Sequence, residues 1–178
     1  GSLLGGTGRP QPSQKAFESR LAVDLCALDP ARPVVVEAES SKIGERIIPP
    51  SLWSAMRAAP RIDVSVPIEA RTAYLVRAYD DILSDADRLR DKLEPLRAYR
   101  GGAIVDGWLD LIAEGDKAGL TRALMVQHYD PAYDKSRRTF GATRIAVVPA
   151  RDLTVASLDT VAAEVEEVVA RLPQPSVN

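Results

Sequence analysis

The sequence predicts an α/β fold: a short parallel sheet with flanking helices and a helical region toward the C-terminus. Three observations carry this expectation. Short β-branched runs occur far apart at Val34–Val36, Ile62–Val66 and Thr143–Val148, helical periodicity fills the intervals, and proline or glycine punctuates the boundaries. Strands separated by helices need right-handed crossovers, and these make the sheet parallel.

Taken in order, Ser13 is placed to cap a helix whose apolar positions Phe17, Leu21, Leu25 and Leu28 recur at three and four, ending near Asp29-Pro30. Val34–Val36 has no alternation, as expected of a strand covered on both faces. Residues 49–59 begin with proline and read as a short helix with Leu52, Trp53 and Met56 inward. A second strand, Ile62–Val66, runs into Pro67, which opens a long helix reaching Leu83. A charged helical stretch covers 85–100 and Gly101-Gly102 precedes a helix on Ile104, Trp108, Leu111 and Ile112, which Gly115 stops. Residues 117–128 make a further helix, 128–142 read as irregular, and Thr143–Val148 is the third strand. An amphipathic helix over 154–171 closes the chain.

A chain of 178 residues with 46% apolar and 27% charged side chains has the composition of a soluble globular domain. Its apolar runs fall far short of the roughly 20 residues of a membrane span, no signal-peptide pattern opens it, and a cytoplasmic location is expected. Cys26 is the single cysteine and is expected to be a buried small hydrophobe. The net charge of −2 gives no global attraction to nucleic acid, so RNA binding would require a local patch. Arginine outnumbers lysine 18 to 5, which suits bidentate phosphate contacts and equally suits GC-rich coding.

The opening stretch GGTGRPQPSQK imitates a phosphate-gripping loop and fails the test. Such a loop needs Gly-x-x-x-x-Gly-Lys-Ser/Thr, whereas here Gly8 is followed by Arg9 and Pro10, and the prolines remove N–H donors. Chemistry is expected instead beyond the first β-branched run. Glu37 and Glu39 stand where a parallel strand delivers ligand-facing acids, as candidate catalytic residues that could hold a Mg²⁺-bound water. Ser40, Ser41, Lys42, Gly44 and Arg46 add hydroxyls, cations and a flexible glycine that suit a phosphate ligand. A second constellation is His128, Tyr129, Asp130, Tyr133, Lys135, Arg137 and Arg138. It reads either as phosphate contacts with stacking rings or as a plain turn at Asp130-Pro131. No Cys/His cluster has metal-ligand spacing.

These residues also carry a resemblance. The stretches GGTGRPQPSQKAFES, LDPARPVVVEAESSKIGERIIP, LWSAMRAAP, VPIEAR and HYDPAYDKS, in that order, resemble the C-terminal P-loop domain of bacterial tRNA 2-selenouridine synthases, from the first residue to about Ser136. The resemblance implies an incomplete P-loop NTPase-like sheet. Residues 1–83 would be the C-terminal part of that α/β domain, 84–142 a helical region, and 143–178 the last strand and closing helix of the α/β unit.

In this family a rhodanese-like domain with a catalytic cysteine precedes the P-loop domain. The enzyme is a transferase that converts 2-thiouridine at the tRNA wobble position to 2-selenouridine through an S-geranylated intermediate, using selenophosphate and geranyl diphosphate. The resemblance places the rhodanese domain and the phosphate loop upstream of residue 1. The segment alone is then expected to be inactive, with the edge of Val34–Val36 unpaired until another part of the protein, or another chain, supplies the intervening strand. It further implies phosphate or tRNA contacts from Arg9, Gln14, Lys15, Ser40, Lys42, Arg46, Tyr129, Arg137 and Arg138, with tRNA and small phosphorylated substrates as partners and no membrane. Two other readings stay open: a non-catalytic tRNA-binding module gripping the anticodon arm through Asp85–Arg138, and a P-loop kinase relative.

Overall fold

The computed structural model describes residues 10–38, 40–139, 141 and 143–173. It is an α/β chain, mostly helical, with one small parallel sheet. Helix α1 (Gln14–Cys26) starts where Ser13 takes an extended conformation and its hydroxyl accepts from the Ala16 N–H at 3.2 Å, satisfying one of the free donors of the first turn. A two-residue-per-strand antiparallel hairpin follows, β1 (Lys42–Ile43) and β2 (Arg46–Ile47), with Ile43 opposite Arg46. Helix α2 (Pro50–Ala58) leads to β3 (Arg61–Ser65). The chain then enters a run of helices: α3 (Ile68–Ala78), α4 (Asp80–Leu83), α5 (Ala86–Leu93), α6 (Arg97–Arg100), α7 (Gly102–Glu114) and α8 (Lys117–Leu124). A π turn over Met125–Tyr129 joins α8 to α9 (Asp130–Thr139), after which β4 (Arg144–Pro149) and α10 (Val155–Ala170) complete the fold.

Strands β3 and β4 pair in parallel, with Ile62 opposite Ala146 and Val64 opposite Val148 and an irregularity at Arg61/Ile62. Because side chains alternate across a strand, Ile62, Val66, Val148 and Ala150 share one face, and these pack with Val161 and Val165 of α10. A larger core lies in the helical region, where Ile82, Leu83, Leu89, Leu93, Val105, Trp108, Ile112, Leu120 and Leu124 form one cluster. Trp108 is its largest member at 1% exposure, and its indole N–H reaches the Gln127 side-chain oxygen at 2.7 Å, so its polar atom is satisfied. Gly115 ends α7 in the left-handed conformation at φ +70°, the place where a side chain would be strained.

Several expectations need correction. Val34–Val36 is not a strand. Residues 33–38 take neither helix nor strand, and the three valines are 52%, 65% and 54% exposed, because among the described residues no neighbour accepts their backbone hydrogen bonds. Cys26 is exposed rather than buried, and no residue of α1 is fully buried; Phe17 and Leu21 are half-buried while Leu25 and Leu28 face out. The long helix from Pro67 breaks at Tyr79, and the charged stretch is interrupted by a 3₁₀ turn at Glu94–Leu96, where Pro95 cannot donate to a continuing α ladder. The segment after His128 is helix, not irregular loop. The π turn shifts the carbonyl register just where Pro131 has no N–H to give, so the helix passes through Asp130-Pro131.

Replacing the buried indole leaves a void that its helical neighbours only partly fill. Trp108→Ala is expected to cost about 3–5 kcal/mol in urea unfolding of the chain.

Candidate functional site

The hairpin that carries Lys42, Gly44 and Arg46 has too few residues to stand alone, and two glutamines hold it. Gln11 Nε2 donates to the Ile43 carbonyl at 3.0 Å while its Oε1 accepts from the Glu45 N–H at 2.7 Å. Gln14 does the same one step along, donating to the Ile47 carbonyl at 2.7 Å and accepting from the Ile47 N–H at 3.0 Å. Each primary amide thus imitates a neighbouring strand and pairs the hairpin's outer edge. Gln14 also donates to Glu18 Oε1 at 2.8 Å, and the Ser40 hydroxyl accepts from the Lys42 N–H at 3.1 Å to start the hairpin. Gly44 turns the hairpin at φ +60°, which favours glycine, and a Cβ there would lie 2.5 Å from the Gln11 amide and displace it from the turn.

Lys42 is exposed and stands 3.9 Å from the equally exposed Glu45, a contact too solvated to neutralise it. Arg46 is half-buried, and its Nε is covered from solvent without a hydrogen-bond partner among the described residues. Lys15 projects from α1 into solvent. The structure therefore gathers Gln14, Ser40, Lys42 and Arg46 on one hairpin and the start of one helix, while the Gln14 amide is committed to the backbone of Ile47.

Glu37 lies elsewhere, exposed on the extended 33–38 segment at the rim of a cleft of about 710 Å³. The cleft runs between that segment and β3 and is lined also by Tyr133 of α9 and by Val165, Val169 and Leu172 at the end of α10. Glu39 and Arg9 lie outside the described residues. So do the side chains of Arg137 and Arg138, whose backbone continues α9. Among the described residues no group of three or more His, Cys, Asp or Glu is placed to hold a metal ion, and no helix is long and apolar enough to cross a membrane.

The late motif is used mainly to hold the helical region to α3. Arg71 grips Asp130 in a bidentate pair at 3.1 and 2.5 Å, both side chains about one-third exposed. Two residues earlier on α3, Glu69 meets Arg122 of α8 at 3.0 Å. Its own backbone N–H, then Arg122, hold the Glu69 carboxyl below the usual range. Sequence reasoning missed this pairing. VPIEAR and HYDPAYDKS were both singled out, but opposite charges fifty-nine residues apart carry no signal in one sequence that they meet.

His128 sits in the same region. Its ring is edge-on to Tyr129 at 4.9 Å and to Trp108 at 6.2 Å. Arg100 Nε donates to His128 Nδ1 at 3.1 Å and Arg100 also donates to the His128 carbonyl at 3.0 Å. An Nδ1 that accepts must be unprotonated, and burial together with the guanidinium charge pushes the His128 pKa down.

The comparisons with known proteins agree with the resemblance. An AAA domain is the class defined: the family profile matching residues 1–101 is described as the tRNA 2-selenouridine synthase AAA domain. The chain belongs to this family. Similar proteins named tRNA 2-selenouridine synthase come from Cupriavidus pinatubonensis (34% identical over 105 residues, 58% of this chain and 28% of the relative), Nitrosomonas europaea (36% over 101 residues, 54% and 26%) and Hahella chejuensis (30% over 161 residues, 75% and 42%). The chain spans between about a quarter and under half the length of these relatives. No solved structure matches it.

Two outcomes follow from this geometry. Gly44→Ala is expected to weaken the hairpin by about 1–2 kcal/mol, read as faster hydrogen exchange at the Glu45 and Ile47 amides with α7 unchanged. The depressed pKa of His128 means that the folded state prefers the neutral ring, so its contribution is present above the unfolded value near 6.5 and is lost as pH falls below it. Unfolding between pH 7.5 and 5.5 should therefore show falling stability, and His128→Gln should flatten that slope, since the chain has one histidine.

Proposed function

We propose that this chain is the C-terminal part of a transferase that modifies the wobble uridine of tRNA, exchanging the sulfur of 2-thiouridine for selenium, with selenophosphate as selenium donor and an S-geranylated intermediate made from geranyl diphosphate. The observation that carries this reading is the family match over residues 1–101. Within that span, Gln11 and Gln14 hold a hairpin bearing two cations, Lys42 and Arg46.

In this reading the segment binds rather than transfers. The parallel β3–β4 pair is part of a P-loop-like α/β unit, and the glutamine-held hairpin presents Lys42 and Arg46 to a phosphate of tRNA or of a small phosphorylated substrate. A rigidly held backbone turn favours this, because a preorganised cation loses less freedom on binding than one on a loose loop. Arg46 supplies a planar guanidinium that can pair two oxygens of a phosphate. Lys15 and Ser40, near the same hairpin, are proposed as further phosphate contacts. Glu37 and Glu39 are proposed as the acids that face the reacting ligand. Tyr129, Arg137 and Arg138 are proposed as contacts to the RNA from the helical region.

The test uses the full-length protein that contains this segment. Lys42→Ala and Arg46→Ala are each expected to weaken tRNA or geranyl diphosphate binding and to lower the slope of log affinity against log salt for tRNA by about one. Unchanged affinity, salt slope and turnover would remove both residues from the site.

A further inference from the structure

The helices between β3 and β4 do not share their charge evenly. Together α3, α8 and α9 hold seven Lys or Arg against three Asp or Glu, whereas residues 80–114, from α4 to α7, hold five against nine. The packing keeps the two groups apart. Helix α8 packs against α3 and against α7, α5 and α6 pack against α7, and Arg71 ties α9 to α3. A polyanion that approaches this region is therefore drawn to the α3 side and repelled from the α5–α7 side.

Helix α3 offers such a partner a surface. Arg71, Thr72, Leu75 and Val76 form its half-buried side, and the opposite side presents Ala73, Tyr74, Arg77 and Ala78, at the three- and four-residue spacing of one helical face. Tyr74 is 42% exposed and has no hydrogen-bond or ring partner among the described residues. Arg77 is exposed, and among the described residues it is the one cation of α3 and α8 without a partner: Asp130 holds Arg71, Glu69 holds Arg122 and Asp80 holds Lys117. Tyr99 makes the contrast. It is 82% exposed but stands on the acidic side, between Arg97, which Glu94 and Asp106 hold, and Arg100, which donates to His128. An open ring beside an uncommitted guanidinium, with only alanine methyl groups around them, is the pairing that stacks an unpaired base and holds its phosphate. We propose that the solvent face of α3 is an RNA-contact surface, with Tyr74 stacking on an unpaired base of the tRNA and Arg77 pairing with an adjacent phosphate. The inference deepens the tRNA reading above and rests on it. It puts the RNA on the α3 side of the helical region and away from residues 80–114.

The experiment measures binding of an unmodified tRNA transcript with a wobble uridine to the full-length protein that contains this segment, over a series of salt concentrations. Both side chains stand in solvent, so Tyr74→Ala and Arg77→Ala should unfold in urea as the parent does. Tyr74→Ala is expected to lower affinity about tenfold at every salt concentration with the slope of log affinity against log salt unchanged, and Tyr74→Phe to keep parent affinity. Arg77→Ala is expected to lower that slope by about one, and Arg77→Lys to preserve it. A fully paired RNA duplex, whose bases are already stacked, should bind Tyr74→Ala as well as the parent. On the acidic side, Tyr99→Ala and Arg88→Ala, both at exposed positions, should change neither affinity nor slope. Parent affinity and slope in both α3 variants would overturn the proposal and leave the tRNA reading standing, and so would equal losses from the two variants on the acidic side. A changed oligomeric mass in Tyr74→Ala with unchanged tRNA affinity would overturn it too, assigning the face to a second copy. A parent protein that binds no tRNA at any salt concentration would end the tRNA reading itself, and this inference with it.

Discussion

The parallel pairing of β3 with β4 is the constraint on which the rest of the described fold depends. It joins residues 61–65 to residues 144–149, so everything from α3 to α9 is the connection between two adjacent parallel strands. A connection of that kind is normally a single helix. Here it is a helical region with a core of its own around Trp108 and Leu93, larger than the core under the sheet. Its first helix must leave the end of β3 and its last must return to the start of β4. The Arg71–Asp130 and Glu69–Arg122 pairs tie the start of α3 to α8 and α9, and so close the excursion near where it opened.

A second theme is that polar side chains stand in for missing backbone. The Gln11 and Gln14 amides occupy the outer edge of a hairpin that has two residues per strand. An amide side chain offers one donor group and one acceptor in nearly the geometry of a peptide unit, so it satisfies an edge without adding a strand. The same economy explains why Gly44 cannot be exchanged freely: the space beside it is already filled by Gln11.

Features set by neighbours in sequence were legible, and features set by neighbours in space were not. Ser13 capping α1, Pro50 opening α2 and Gly115 ending α7 all appear where their chemistry predicted, because each acts within one helical turn. The strands Ile62–Val66 and Thr143–Val148 came within a residue or so of β3 and β4, and their parallel pairing followed from the helices between them. Val34–Val36 failed for the opposite reason: a strand is defined by its partner, and valine content cannot supply one. The hairpin at Lys42–Ile47 carried no strand signal because two-residue strands leave no alternation to detect, and its support comes from Gln11 and Gln14, more than thirty residues earlier. Cys26 was expected inside on residue type, but α1 touches the rest of the described fold through Gln14 and the hairpin, which leaves its C-terminal turns in solvent. Of the candidate site, the cations around the hairpin came together. Glu37 stands apart on the cleft, and Tyr129 belongs to the helical core.

The π turn at Met125–Tyr129 gives this part of the chain an unusual arithmetic. A π turn holds one residue more than the α turn it replaces, and each residue rotates a helix by about 100°. Loss of a single residue between Leu124 and Asp130 would let the ladder relax to an ordinary α turn of the same rotation and keep Asp130 toward Arg71, whereas loss of a second would swing every later side chain of α9 by that angle. This stretch therefore carries one spare residue, and homologous chains should absorb a one-residue deletion there more readily than a longer one.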